Sequence, residues 1–358
     1  MPPLPAELLD ADRAYQAVLA GIRFSEHLNP VNIAAARKAF FAGAKAPPFE
    51  YAPATWAADA KAQLAAIRVP MAHPLGVALS ESMAETVALI HALDRRDAEA
   101  FRVLAELSDW LPSAADDGEI PATPPSGPVA AQISAERMFT ALRDSLRQRE
   151  LHDWEVTWDN VLSSRLLVDA PRKAIRVNPT AHFTELDRVG MVAHEVDVHV
   201  TRSDNGTRQP LALFSTGLAR SLLAEEGLAV AAEEEARAMS PGFEARQALM
   251  IRAVRLAEGC GFRQLFQELV PLAGSNAAFQ LALRVKRGLS DPGLPGCYAK
   301  DSVYLRGWRK VRAWRAAGGD IAHLYVGKVG FDQPIQEWIE AGWLVPRPVP
   351  RMWSRWQA

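Results

Sequence analysis

The feature that most constrains this chain is a His-Glu pair inside an apolar helical run, with a second histidine five residues after the first. The segment reads Val189-Gly190-Met191-Val192-Ala193-His194-Glu195-Val196-Asp197-Val198-His199. Each residue of a regular α-helix turns by about 100°, so positions i and i+5 stand about 140° apart. The familiar i, i+4 spacing puts both rings on one face, where they can share a metal ion. An HExxxH segment can do so only where the helix absorbs one more residue, as a π-bulge does. The residues alone leave two readings open: a regular helix decorated with histidines, or a distorted one that holds a metal.

The metal reading assigns roles by chemistry. Neutral imidazoles at His194 and His199 suit Zn²⁺. Glu195, beside the first ligand, is placed to take a proton from a water that zinc has acidified toward a pKa of about 7. A third ligand is needed, and the stretch Leu222-Leu223-Ala224-Glu225-Glu226-Gly227-Leu228-Ala229-Val230 offers one. Glu226 has Leu222, Leu223, Ala229 and Val230 as its i±3 and i±4 neighbours, so its carboxylate lies on an apolar stripe. Such a group is costly to bury unless it is paired with a cation or bound to metal. Gly227 beside it weakens the helix but lets another element come close. Glu225, with Ser221 on its flank, reads as more solvated, and Glu233-Glu234-Glu235 as the solvated end of the helix.

The surroundings of this segment read as a mainly α, α+β chain. Helical patterning dominates to about residue 110, and Pro53 and Pro70 punctuate it. Residues 113–128 are rich in proline and read as a linker or loop. They separate a helical N-terminal region (1–112) from a catalytic region (129–358), although the two can pack as one domain. A helix over 134–149 follows the linker. Residues 154–158 alternate as a strand, and 165–169 with 174–177 read as a hairpin. Further helices are expected over 184–202 and 215–239. Trp338, Trp343, Trp353 and Trp356 are read as sealing a core.

Composition excludes several classes. The chain has 358 residues, 49% of them hydrophobic, and 40 Lys+Arg against 42 Asp+Glu. A net charge of −2 gives no bulk reason to expect nucleic acid or an anionic membrane as partner. Two cysteines without CxxC spacing, Cys260 and Cys297, indicate reduced thiols rather than a disulfide framework or a cysteine zinc site. No signal peptide or bilayer-spanning run is legible, so the expected location is cytoplasmic. His27, His73, His91, His152, His182 and His323 lack motif context and read as structural or surface residues.

Taken in order, the motifs resemble those of the QEGLA-motif family. Its bacterial members are named flavohemoglobin expression-modulating QEGLA motif proteins, and its eukaryotic relatives are the MATCAP tyrosine carboxypeptidases that trim tubulin. The matching elements are His194-Glu195 through His199, Glu225-Glu226-Gly227-Leu228-Ala229, and Tyr298-Ala299-Lys300-Asp301-Ser302-Val303-Tyr304-Leu305-Arg306-Gly307. Pro48-Phe49-Glu50-Tyr51, Asn205-Gly206 and Gln209-Pro210 also fit. The resemblance covers roughly residues 25–330. It implies a zincin-like core, one zinc per chain on His194, His199 and Glu226, Glu195 as base, and carboxypeptidase action on a peptide or protein C-terminus. Two departures are Glu225 for the family's Gln and Ala299 for its Thr.

An exopeptidase also needs a cation for the substrate carboxylate, which Arg supplies best. Arg202, Arg208, Lys300 and Arg306 are the candidates. Tyr298 and Tyr304 are candidates for donating to the oxyanion, and each reads equally well as a packed tyrosine. Two other functions compete: a non-enzymatic metal-binding regulator of expression, and a dedicated metalloendopeptidase. Glu195, which metal binding does not require, favours an enzyme.

Overall fold

The computed structural model describes residues 3–116, 132–160, 162 and 164–356, and it is mainly helical with two small sheets. The chain divides into two compact units. One comprises residues 1–12, 123–243 and 307–358, the other residues 13–122 and 244–306. This differs from the expected split into an N-terminal region and a C-terminal remainder, because residues 244–306 return to the helical unit. The reason is aromatic packing: Phe40 stacks edge-on to Phe262, at 5.0 Å between centroids, and lies 5.7 Å from Phe279. Of the expected linker, residues 117–128 lie outside the described residues.

In the helical unit the Pro-Phe-Glu-Tyr element has a packing role. Phe49 is buried, and Tyr51 donates its hydroxyl to Leu289 O (3.0 Å) and accepts from Gly288 N (3.0 Å). The Arg96 guanidinium lies 4.3 Å from its ring centroid. No helix of the described residues is long and apolar enough to cross a membrane.

The other unit holds the HExxxH segment and both sheets. Strand β1 (Gln132–Ile133) pairs antiparallel with β5 (Phe183–Thr184). In the second sheet, β2 (Glu155–Trp158) runs parallel to β4 (Ala174–Val177), and β3 (Leu166–Asp169) antiparallel to it. The expected hairpin is therefore β3–β4, and Lys173 takes the left-handed turn position at φ 49°. The helix Ala135–Gln148 is capped by Ser134, whose hydroxyl accepts from Arg137 N at 3.4 Å. Its Met138, Leu142 and Leu146 recur every four residues and form one apolar face. They share a core with Ile175, Val177 and Phe183 of the sheets and with Val196 and Val200 of the HExxxH segment. The back of that segment is thereby fixed to the sheet.

The helix expected over 215–239 begins only at Ser221. Gly217, at φ 120°, turns the chain between a short helix, Leu213–Thr216, and the helix Ser221–Glu235. A Cβ on Gly227 would come within 2.3 Å of the Gly307 carbonyl carbon. The glycine pair lets the helix Ser221–Glu235 press directly on the backbone of the helix Val303–Ala316.

Candidate metal centre

A capping box starts the HExxxH helix. The Thr184 hydroxyl accepts from Asp187 N (3.0 Å), and the Asp187 carboxylate accepts from Thr184 N (2.9 Å). After one regular stretch, Glu185–Met191, the backbone widens into a π-helix over Val192–Val200, then continues as α-helix Thr201–Thr207. The wider turn removes the angular conflict of the i, i+5 spacing. The His194 and His199 rings face the same side, with centroids 4.9 Å apart.

The helix Ser221–Glu235 lies against this face. Glu226 Oε2 is 3.7 Å from His194 Nε2 and 3.7 Å from His199 Nε2. Ligands about 2.0–2.2 Å from a tetrahedral zinc stand about 3.4 Å from one another, so this spacing fits one ion. Donor atoms of His194, Glu195 and His199 also lie within 4.8 Å of one another. All three residues are half-buried, whereas Glu226 is buried, 6% exposed.

Two further carboxylates settle which histidine nitrogens face inward. His194 Nδ1 lies 2.6 Å from Glu233 Oε1, and His199 Nδ1 lies 2.7 Å from Glu225 Oε1. An ionised carboxylate can only accept, so each Nδ1 donates, and Nε2 is the nitrogen that offers a lone pair to the centre when the ring is neutral. Carboxylate–histidine pairs of this kind orient metal ligands and raise their basicity. Here the sequence reading is corrected twice. Glu233 does not end the helix in solvent; it lies seven residues after Glu226 on the same face. Glu225 is not solvated but 5% exposed.

Glu225 is held by cations. Burial raises its carboxyl pKa, but the charges of Lys328 and Arg202 and the His199 hydrogen bond outweigh this and hold it well below the usual range. Lys328 Nζ lies 3.3 Å from Glu225 Oε1, and Arg202 pairs with Oε2. Four carboxylates (Glu195, Glu225, Glu226, Glu233) gather here, with Arg202 and Lys328 facing Glu225. The carboxylate charge is felt at His194. Burial lowers its pKa, yet the Glu233 hydrogen bond and the charges of Glu195, Glu233 and Glu226 push it up to about 9. The cluster attracts positive charge, and two imidazoles with a carboxylate form a donor set suited to zinc.

The other candidates separate. Arg202 has no accessible surface and spends its guanidinium on Glu225, Leu324 O (2.8 Å) and Val329 O (2.6 Å). It anchors Glu225 rather than a substrate carboxylate. Arg208 pairs with Asp204 at 3.2 Å. Tyr298, Lys300, Tyr304 and Arg306 belong to the helical unit. Tyr298 is sealed there among Phe24, Phe101 and Trp110, so its assignment to an oxyanion is replaced by a packing role. Arg306 is engaged by Asp109 (2.8 Å) and Asp116 (3.2 Å); Lys300 and Tyr304 are half-buried.

Asn205 and Gln209 tie down the C-terminal segment. Asn205 Nδ2 donates to Tyr325 O and Pro348 O, and Gln209 Nε2 to Val326 O and Val345 O. Trp353 is buried and donates Nε1 to the Tyr325 hydroxyl, which donates to Asp197 O on the π-helix. Trp338 is also buried and Trp343 half-buried, whereas the Trp356 side chain lies outside the described residues. Sequence reasoning noted Glu225 as a departure from the family's Gln but not its pairing with His199, and it missed Glu233, Lys328 and Tyr325. Of these three only Glu233 left a signal, its seven-residue spacing from Glu226.

A family model described as microtubule-associated tyrosine carboxypeptidase (MATCAP) matches residues 114–358. Microtubule-associated tyrosine carboxypeptidase 1 of Rattus norvegicus is 30% identical over 188 residues, covering 50% of this chain and 38% of the relative. The Homo sapiens protein of that name is 30% identical over 186 residues, with the same coverage. Putative tyrosine carboxypeptidase MATCAP2 of Homo sapiens is 31% identical over 149 residues, 40% of this chain and 28% of its own. The matches span less than two fifths of the length of these relatives. With a family model covering more than half of the sequence, the chain belongs to the microtubule-associated tyrosine carboxypeptidase family.

Proposed function

We propose that this chain is a zinc-dependent metallocarboxypeptidase with a zincin-like core. The observation that carries the reading is the convergence of His194 Nε2, His199 Nε2 and Glu226 Oε2, with Glu195 beside them. Those three residues would hold the zinc. A bound zinc supplies Lewis-acid polarisation of a peptide carbonyl and lowers the pKa of an associated water toward about 7.

The chain's own residues do the rest. Glu195 takes the proton of the attacking water and passes it to the departing amine. Glu233 and Glu225 keep both imidazoles in the tautomer that presents Nε2. Glu225 is kept ionised by Arg202 and Lys328. The π-helix is pinned from behind by Val196 and Val200 in the sheet core.

The relatives' names specify a tyrosine carboxypeptidase, so a C-terminal tyrosine is the first leaving residue to test on this chain. Peptides ending in a free-acid or an amidated tyrosine would be incubated with protein and analysed by mass spectrometry. The proposal expects single tyrosines released from the free-acid peptide only. Glu195→Gln should lower the rate by about 10²–10⁴-fold, the usual contribution of a positioned acid–base group, while zinc is retained. Internal cleavage would identify an endopeptidase. No cleavage of any free C-terminus by zinc-loaded protein would leave the metal-binding regulator as the better reading.

A further inference from the structure

A cavity of about 660 Å³ opens beside Asp197 of the π-helix and Thr201 after it, within the same unit. Four arginines line it: Arg149, Arg208, Arg347 and Arg351. Two are spent on local acids. Arg149 forms a paired contact with Asp197, one of its hydrogen bonds being 2.7 Å, and Arg208 pairs with Asp204 at 3.2 Å.

The other two are not. Among the described residues neither Arg347 nor Arg351 forms an ion pair, and the Nε of Arg347 is buried without a hydrogen-bond partner. A buried guanidinium N–H left unpaired costs free energy that a natural site normally recovers through an acceptor. Arg347 also sits near Arg208. Burial and the Arg208 charge both press against its protonated form, with Asp204 acting the other way. The one acid of the lining left over, Glu150, is exposed. With Asp197 and Asp204 already neutralised, the cavity carries two uncommitted guanidinium groups against one solvated carboxylate.

We propose that this cavity is an oxyanion site that takes the phosphate group of a small organic phosphate, with Arg347 and Arg351 as its principal donors. Guanidinium forks match phosphate oxygens two at a time. The volume is in the range of small-molecule sites and far exceeds a bare phosphate. Leu151, Val349 and Met352 supply an apolar wall for the organic part. Asp197 lines the cavity and lies between Glu195 and His199 in sequence, so an occupant stands against the same π-helix as His194 and His199. The cavity is assigned to an effector rather than to the peptide substrate because none of His194, Glu195, His199 and Glu226 lines it.

The test uses the full chain after metal removal by chelation, so that phosphate cannot report through zinc. Phenyl phosphate, orthophosphate and succinate are titrated by calorimetry against sodium chloride of matched ionic strength. Saturable binding of phenyl phosphate, tighter than orthophosphate, is expected. Arg347→Gln and, separately, Arg351→Gln should each weaken it by about 10-fold or more, the scale of a lost charge-assisted hydrogen bond. Arg309→Gln, outside the cavity, should leave it unchanged. Arg351 is exposed, so its variant keeps the test valid even where Arg347→Gln folds poorly. Equal heats from chloride, unchanged affinity in Arg351→Gln, or tighter binding of succinate would overturn the phosphate assignment.

Discussion

The two units both bury charge, and they do so in opposite ways. In the helical unit Lys286 has no accessible surface, and its ammonium donates to four carbonyls, Ala257, Cys260, Leu294 and Gly296, at 2.6–3.1 Å. Asp301 is answered by Arg284 (2.9 Å) and Arg287 (3.1 Å). Both groups are satisfied within the protein. In the other unit Glu225, Glu226 and Glu233 draw two histidines together beside a half-buried Glu195. Burial by itself therefore does not distinguish the two clusters. The difference is that the acids of this unit converge on two imidazoles.

The comparison can be broken by mutation. The largest stability effect is expected for Lys286→Met, which removes the ammonium donor from four carbonyls, of which Ala257 O keeps Gly296 N (2.8 Å). It should destabilise the fold by about 3–5 kcal/mol, the scale of breaking a buried charged network, measured by chemical denaturation. Zinc affinity of the folded fraction should not change. A Lys286→Met protein of undiminished stability would show that its carbonyl cage contributes little.

Glu233→Gln acts on the other kind of burial. It keeps a hydrogen bond to His194 but removes the negative charge behind it. Zinc affinity should fall by about 10–100-fold, as is usual for a group that orients a metal-bound histidine, with denaturation of the metal-free protein nearly unchanged. Competition with a chromophoric chelator measures this. Unaltered affinity would remove Glu233 from the account.

The smallest expected effect concerns acid stability. Burial raises the Asp301 carboxyl pKa, but Arg287 and Arg284 prevail and hold it below its usual value. The unfolded chain then binds the proton more tightly, so this contribution is complete above the unfolded value near 4 and fades as pH falls through the lower folded value. Asp301→Asn should cost about 2 kcal/mol at neutral pH, with less loss at pH 3. A cost equal at both pH values would mean that the carboxylate charge is not what matters.

How much of this could be read from the sequence depended on range. The π-helix was legible as one of two readings, because the i, i+5 histidines can share a face only where the helix widens. The β3–β4 hairpin followed from alternation around a four-residue turn, and the close approach at Gly227 from a glycine beside a buried acid. The contacts across long separations were not legible. Residues 244–306 carry ordinary helical patterns, and nothing local shows that they pack with Phe40 rather than with the segment preceding them. Arg202 stayed a candidate cation near the motif because two of its partners, Leu324 and Val329, lie more than a hundred residues away and the third, Glu225, read as solvated. Glu225 looked solvated because its helical neighbours include Ser221; Lys328 and Arg202, which make its burial tolerable, are distant in sequence.

The central claim is that His194, His199 and Glu226 hold one zinc. Its most direct test is zinc content by elemental analysis of wild type and Glu226→Ala purified side by side, with folding of both checked by circular dichroism. The account predicts about one zinc per chain in wild type, as a three-ligand site requires, and a large loss in the variant. Zinc-free wild type after careful preparation, or full retention in Glu226→Ala, would contradict it.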